Sequence, residues 1–249
     1  MTLDIKLTRV LQRYILLLMT CAIPWQGHAE EGKHDEPIAI IREAEPLIEN
    51  FITADHWAAV KNLTAAARAV VIIASGGQGG LILGLQRGKG ILLVRHGYEW
   101  SDPVFIRLNA LQIGLLIGGQ KFSAAGAILS DAALEYVLSG KTRLGGSGDF
   151  TIGVGVSGRA AGGASGGIEL LMVSTNKGVF LGGSFEGVTI SVDDELNRKA
   201  YGDSFDLTVT ISNTGGGYLP AESIRRILEK AAYEAVWGKA QQNPRQINQ

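Results

Sequence analysis

The chain has a single cysteine, Cys21, in 249 residues, and its histidines stand apart at His28, His34, His56 and His96. Without a second thiol, and without His-x-His or His-x-x-x-His spacing, no metal motif or internal disulfide is written into it. Charge is also sparse, at 19% of residues with a net of −1. The basic excess of a nucleic-acid binder is missing, so no nucleic-acid partner is expected. No Gly-x-Ser-x-Gly elbow occurs, and no carboxylate pair has an evident acid–base role. The expectation is a protein that is not an enzyme, with no catalytic residue, no cofactor and no metal. The first apolar run, Tyr14–Ile23, is ten residues long, well short of the roughly 20 a membrane span needs.

That run has the form of an export signal. Lys6, Arg9 and Arg13 precede it, Pro24 ends it, and Gly27-His28-Ala29 supplies small residues where a peptidase reads. Cleavage is expected near Ala29, giving a periplasmic or secreted chain of residues 30–249. A lipoprotein signal at Cys21 fits less well, because Thr20 is larger than the residue that normally precedes a lipidated cysteine. The expected mature chain has no cysteine and holds 20 basic and 23 acidic residues, a net of −3. It suits an oxidising compartment.

What the chain has in excess is glycine: 27 of its 34 glycines lie between Gly76 and Gly187. Among them are short β-prone runs, Val70–Ile73, Gly80–Leu85, Ile91–Arg95, Val104–Leu108, Leu111–Gly118, Ala124–Leu129, Phe150–Ser157, Ile168–Ser174, Val179–Phe185 and Val188–Val192. Many short strands with glycine-rich turns predict an antiparallel sheet that coils or closes into a barrel. Leu207–Ile211, rich in β-branched residues, reads as one more strand.

Helices are expected around this sheet. Residues 30–37 read as loose, and 38–68 as helical, kinked or split at Pro46, with a second helix from Asp55. Ser130-Asp131 caps a short helix that Gly140 stops. Beyond Pro220, apolar residues from Ile224 to Val236 recur at helical spacing. The predicted fold class is α+β, with N- and C-terminal helices packed on the sheet, in one domain with its core over about 70–237.

Three motifs bear on chemistry. Gly153–Gly158 matches G-x-G-x-x-G, but no helix is expected after it and no acid lies about 20 residues on, so alternating glycines in a strand explain it better. Gly140-Lys141-Thr142 resembles the end of a phosphate loop, yet Glu135 stands where its first glycine belongs. Asp193-Asp194-Glu195 could hold a hard cation, but reads more simply as a solvated turn or helix start. The glycine-rich region carries nine cations against seven acids. Arg87, Lys89, Lys121, Lys141, Arg143 and Arg159 are the candidate contacts for an anionic lipid or membrane surface.

The order of several segments resembles the SYLF domain, or Ysc84 actin-binding domain, family. They are Arg87–Arg95, Trp100–Phe105, Gly114–Gln120, Ala133–Gly140 with Leu144-Gly145, Ser174–Phe180, Phe185–Gly187 and Asn197 to Tyr201-Gly202. The chain departs from the family at Ala69-Val70 and Ala74-Ser75, and keeps Gly158-Arg159 without the preceding proline. The resemblance implies a lipid-binding module whose membrane contact is an amphipathic N-terminal segment with nearby cations. The analogous segment here is acid-rich, at Glu43, Glu45 and Glu49. The expected partner is an anionic lipid or membrane surface of the cell envelope. The alternative is an envelope interaction module whose partner is a protein. Actin is not expected as a partner of an exported chain.

Overall fold

The computed structural model describes residues 32–53, 66–80, 83–113, 117–139, 147–151, 156–162, 168–181 and 184–242. Helix α1 is Gly32–Thr53. Strands β1 (Ala69–Gly80), β2 (Leu83–His96), β3 (Glu99–Trp100), β4 (Val104–Ile113) and β5 (Ile117–Ile128) follow, then α2 (Asp131–Leu138). Strands β6 (Ser147–Thr151), β7 (Val156–Gly162), β8 (Ile168–Leu181) and β9 (Ser184–Val192) lead to α3 (Asp194–Tyr201), α4 (Leu207–Ser212) and α5 (Glu222–Gln242). His34–Gln249 forms one compact unit.

The strands make one antiparallel sheet in the order β6-β7-β8-β5-β1-β2-β4-β9, with β3 pairing β2 off this path. The fold class is α+β, as expected. Edge strands β6 and β9 approach each other but share no ladder among the described residues, so the described sheet curls and stays open. Fewer and longer strands replace the predicted short ones: 168–181 is one strand where two were expected, and 104–113 merges two more. Glycines inside a strand weaken it without ending it when the neighbouring ladders persist.

Alternation along the strands builds two cores. On one face Val70, Ile72, Ile91, Leu93 and Phe105 pack with Ile40, Ile41, Ala44 and Ile48 of α1, Leu196 of α3, and Ile224, Leu228 and Ala231 of α5. On the other, Val71, Ile73, Leu92, Ile106 and Phe122 pack with Ala133 and Val137 of α2, with Leu207 and Ile211 of α4 against them. Helices therefore cover both faces. Ser130 caps α2 as expected, its side chain accepting from the Ala133 amide.

Three expectations are corrected. Leu207–Ile211 is helix, not strand: Asp206 caps it by accepting from the Val209 amide at 3.0 Å, and Leu207 and Ile211 turn to the core. Burial of one face overrides β propensity. Residues 32–37 are helical, and α1 runs unsplit through Pro37 and Pro46, because Ile40, Ile41, Ala44 and Ile48 on one side of it are buried in the core. The second N-terminal helix, from Asp55, lies outside the described residues, as does the Met1–Ala29 signal.

Candidate anion-binding face

The Trp100–Phe105 and Asn197–Tyr201 motifs make the frame. The Ser101 amide donates to the Val94 carbonyl at 2.8 Å, and the Val94 amide donates back to Ser101 Oγ at 2.9 Å. Asp102, 2% exposed, accepts from Asn213 Nδ2 at 2.6 Å, the Gly217 amide at 3.0 Å and the Tyr218 amide at 3.0 Å. Arg225 Nη1 is 3.9 Å from it. Asn197 Oδ1 accepts from the Phe105 amide at 2.9 Å, and Nδ2 donates to the Phe105 carbonyl at 2.8 Å. Tyr201 Oη donates to the Pro103 carbonyl at 2.6 Å, and burial pushes its ionisation upward. These buried groups have partners within the fold, so their part is to fix the start of β4 against α3 and the 213–218 loop.

Fixing β4 sets the register of the sheet, and the register sets the cations. Lys177 of β8 pairs with Lys121 of β5. Lys121 pairs with Gly77 of β1, and Gly77 pairs with Arg87 of β2. Arg87 pairs with Asn109 of β4. Directly paired residues share a face, so three cations and a glycine form one row across four adjacent strands. Lys121 and Arg87 lie two strands apart, about 10 Å. Both are exposed, and a Cβ added at Gly77 between them would meet nothing within 4 Å. The row is a charged rim around an open notch.

One step toward the helices, Lys89 pairs with Arg107, and carboxylates neutralise both. Lys89 is ion-paired with Glu36 of α1, and Arg107 with Asp193 at 2.7 Å. Glu36 also accepts from Lys199 at 3.0 Å. Hydrogen bonds from Lys89 and then Lys199 hold the Glu36 carboxyl below its ordinary value. Among the described residues, Arg87 and Lys121 have no such carboxylate. Arg87-Gly88-Lys89-Gly90 alternates accordingly: the cations take one face, and the glycines allow close approach on the other. A Cβ at Gly88 would press on Ile73, and one at Gly90 would overlap the Ile72 carbonyl.

Of the six predicted contacts, the structure gathers Arg87, Lys89 and Lys121 on one face. Lys141 and Arg143 lie outside the described residues. Arg159 is on β7, paired with Asp149 of β6 and Met172 of β8, two strands from Lys121. Sequence reasoning left out Lys177 and Gly77, which only the register joins to the site, and the neutralising Glu36. The spacing Arg87-x-Lys89 was the one usable signal, since alternate strand residues share a face. Asp193 begins α3 as its cap, accepting from the Leu196 amide, which is the helix-start reading of the acidic triplet. The G-x-G-x-x-G motif runs into strand β7.

Residues 109–226 match the family model Ysc84, described as Las17-binding protein actin regulator. Over these residues the chain is similar to the Ysc84 family. Over 159 residues it is 31% identical to Protein YSC84 of Saccharomyces cerevisiae, covering 62% of this chain and 34% of that protein. It is 30% identical over 159 residues to LAS seventeen-binding protein 3 of the same yeast, covering 35% of that protein. The chain thus spans about a third of the length of these curated relatives. Among solved structures, virulence-associated protein VapB of Rhodococcus equi matches 49% of the chain at 12% identity with a TM-score of 0.31.

Helix α1 stands where the resemblance implied an amphipathic membrane-contact segment. The apolar side of α1 is committed to the core at Ile40, Ile41, Ala44 and Ile48, while Glu43 and Glu49 face solvent. Its carboxylate Glu36 reaches over the cationic face and quenches part of it.

Proposed function

We propose that this protein is a non-enzymatic module that binds anionic lipid headgroups at a membrane surface of the cell envelope, through the Lys177–Lys121–Gly77–Arg87 row. The observation that carries the reading is that row. Like charges directly opposite each other on a sheet destabilise it, and a bound anion removes that repulsion. Each basic residue held near an anionic surface contributes about 1 kcal/mol, or about a fivefold change in affinity.

The test is co-flotation of the full chain with neutral and with anionic vesicles at low and high salt. Flotation on anionic vesicles that salt weakens, and that Arg87→Glu with Lys121→Glu abolishes, is the expected result. Flotation unchanged in the double variant would remove the assignment, and salt-insensitive flotation would point to apolar insertion instead. A second reading is a protein-interaction module, favoured by the name of the relative LAS seventeen-binding protein 3. Absence of flotation, with retention of a defined envelope protein on the immobilised chain, would select it.

A further inference from the structure

A second surface, built from different elements, has its own chemistry. β2 and β3 form a hairpin in which His96 pairs with Glu99, leaving Gly97-Tyr98 as the turn. Gly97 has φ +67°, which suits the first central position of a two-residue hairpin turn. The turn holds Tyr98 at its tip against α5. There Glu229, Tyr233 and Trp237 recur every fourth residue, so they share one face of the helix.

The parts meet closely. The rings of Tyr98 and Tyr233 lie 6.3 Å apart at 61°, and Trp237 Nε1 donates to Tyr98 Oη at 3.2 Å. These aromatics remain 48%, 54% and 47% exposed for Tyr98, Tyr233 and Trp237. An open cleft of about 370 Å³ is lined by Tyr98, Glu99, Glu229, Lys230 and Tyr233. Lys230 is 4.0 Å from Glu234 on its own helix, and its side chain is 78% exposed. Among the described residues neither Glu99 nor Glu229 has an ion-pair partner. Burial raises the Glu229 carboxyl; Arg225 opposes this, and the Glu99 charge adds to it. Exposed aromatic faces beside two unneutralised carboxylates make a site for a positive charge. No group of three His, Cys, Asp or Glu able to hold a metal occurs among the described residues. Ring faces attract large, weakly hydrated cations through their quadrupoles.

We propose that the cleft between the β2–β3 hairpin and α5 binds an alkylammonium group of the choline type. The ammonium sits against the Tyr98 and Tyr233 rings, with Glu99 and Glu229 balancing its charge and Trp237 holding Tyr98 through its hydroxyl. This site stands independently of the cationic sheet face, so either can fail without the other.

The experiment is calorimetric titration of the full chain with choline chloride, against sodium chloride at equal ionic strength. Saturable binding to choline alone is expected. Tyr233→Ala and Glu229→Gln should each weaken it about fivefold, the loss of one such contact, while Arg87→Glu leaves it unchanged. Glu229→Gln keeps the side-chain volume, and circular dichroism checks that each variant is folded. Flotation on phosphatidylcholine vesicles, abolished by the same variants, would make the ligand a lipid headgroup. Saturable choline binding without flotation would make it a free solute. No saturable binding, or equal binding by both variants, would overturn the proposal.

Discussion

At the scale of the residue, two carboxylates have opposite duties. Asp102 is buried and bound by two backbone amides and one side-chain amide, with the Arg225 guanidinium nearby. Asp102→Ala would leave those donors and that cation unpaired. It is expected to cost about 3 kcal/mol or more in a denaturant titration; a loss below about 1 kcal/mol would show that water replaces the carboxylate. Glu36 instead bridges Lys89 and Lys199 at the border of the cationic face. Its folded ionisation is depressed, so its contribution to stability is present above its ordinary unfolded value and lost as pH falls through the lower folded one. The stability gap between the protein and Glu36→Gln should therefore close in acid. At neutral pH the same variant should bind anionic vesicles more tightly, because Lys89 loses its carboxylate partner while Lys199 keeps Glu195. Weaker binding would mean that Glu36 serves to hold those cations in place.

At the scale of the element, local caps prevail over β propensity where the core permits. Val209, Thr210 and Ile211 favour strand, yet Asp206 begins a helix whose Leu207 and Ile211 pack on the sheet. Asp206→Ala is expected to lower stability by about 1 kcal/mol and to speed amide exchange of Val209, whose donor loses its acceptor. Exchange no faster than before would show that packing alone holds α4. The Ser130 cap was legible in sequence because a capping side chain and its amide are three residues apart, and the acidic triplet at Asp193 offered a helix start as one of two readings. The strand lengths were not, because interior glycines look like turns until neighbouring ladders are known.

At the scale of the whole molecule, a chain with net charge −1 has no long-range attraction to an anionic surface. Any such binding must come from local arrangement, and it should fall steeply once the screening length drops below about 10 Å near 0.1 M salt. Binding that persists to molar salt would count against the sheet face. The sequence by itself determined the α+β class, the glycine-rich antiparallel sheet, the terminal helices and the Ser130 cap of α2, because hydrophobic periodicity and capping act over a few residues. It also showed the likeness to the Ysc84 family, through the order of its segments. Only the tertiary structure decided that Lys121, Lys177 and Arg87 share one row while Glu36 neutralises Lys89, and that Tyr98 meets Tyr233 and Trp237. Those neighbours are set by strand register and by helix docking, and both depend on how distant segments bury their apolar faces together.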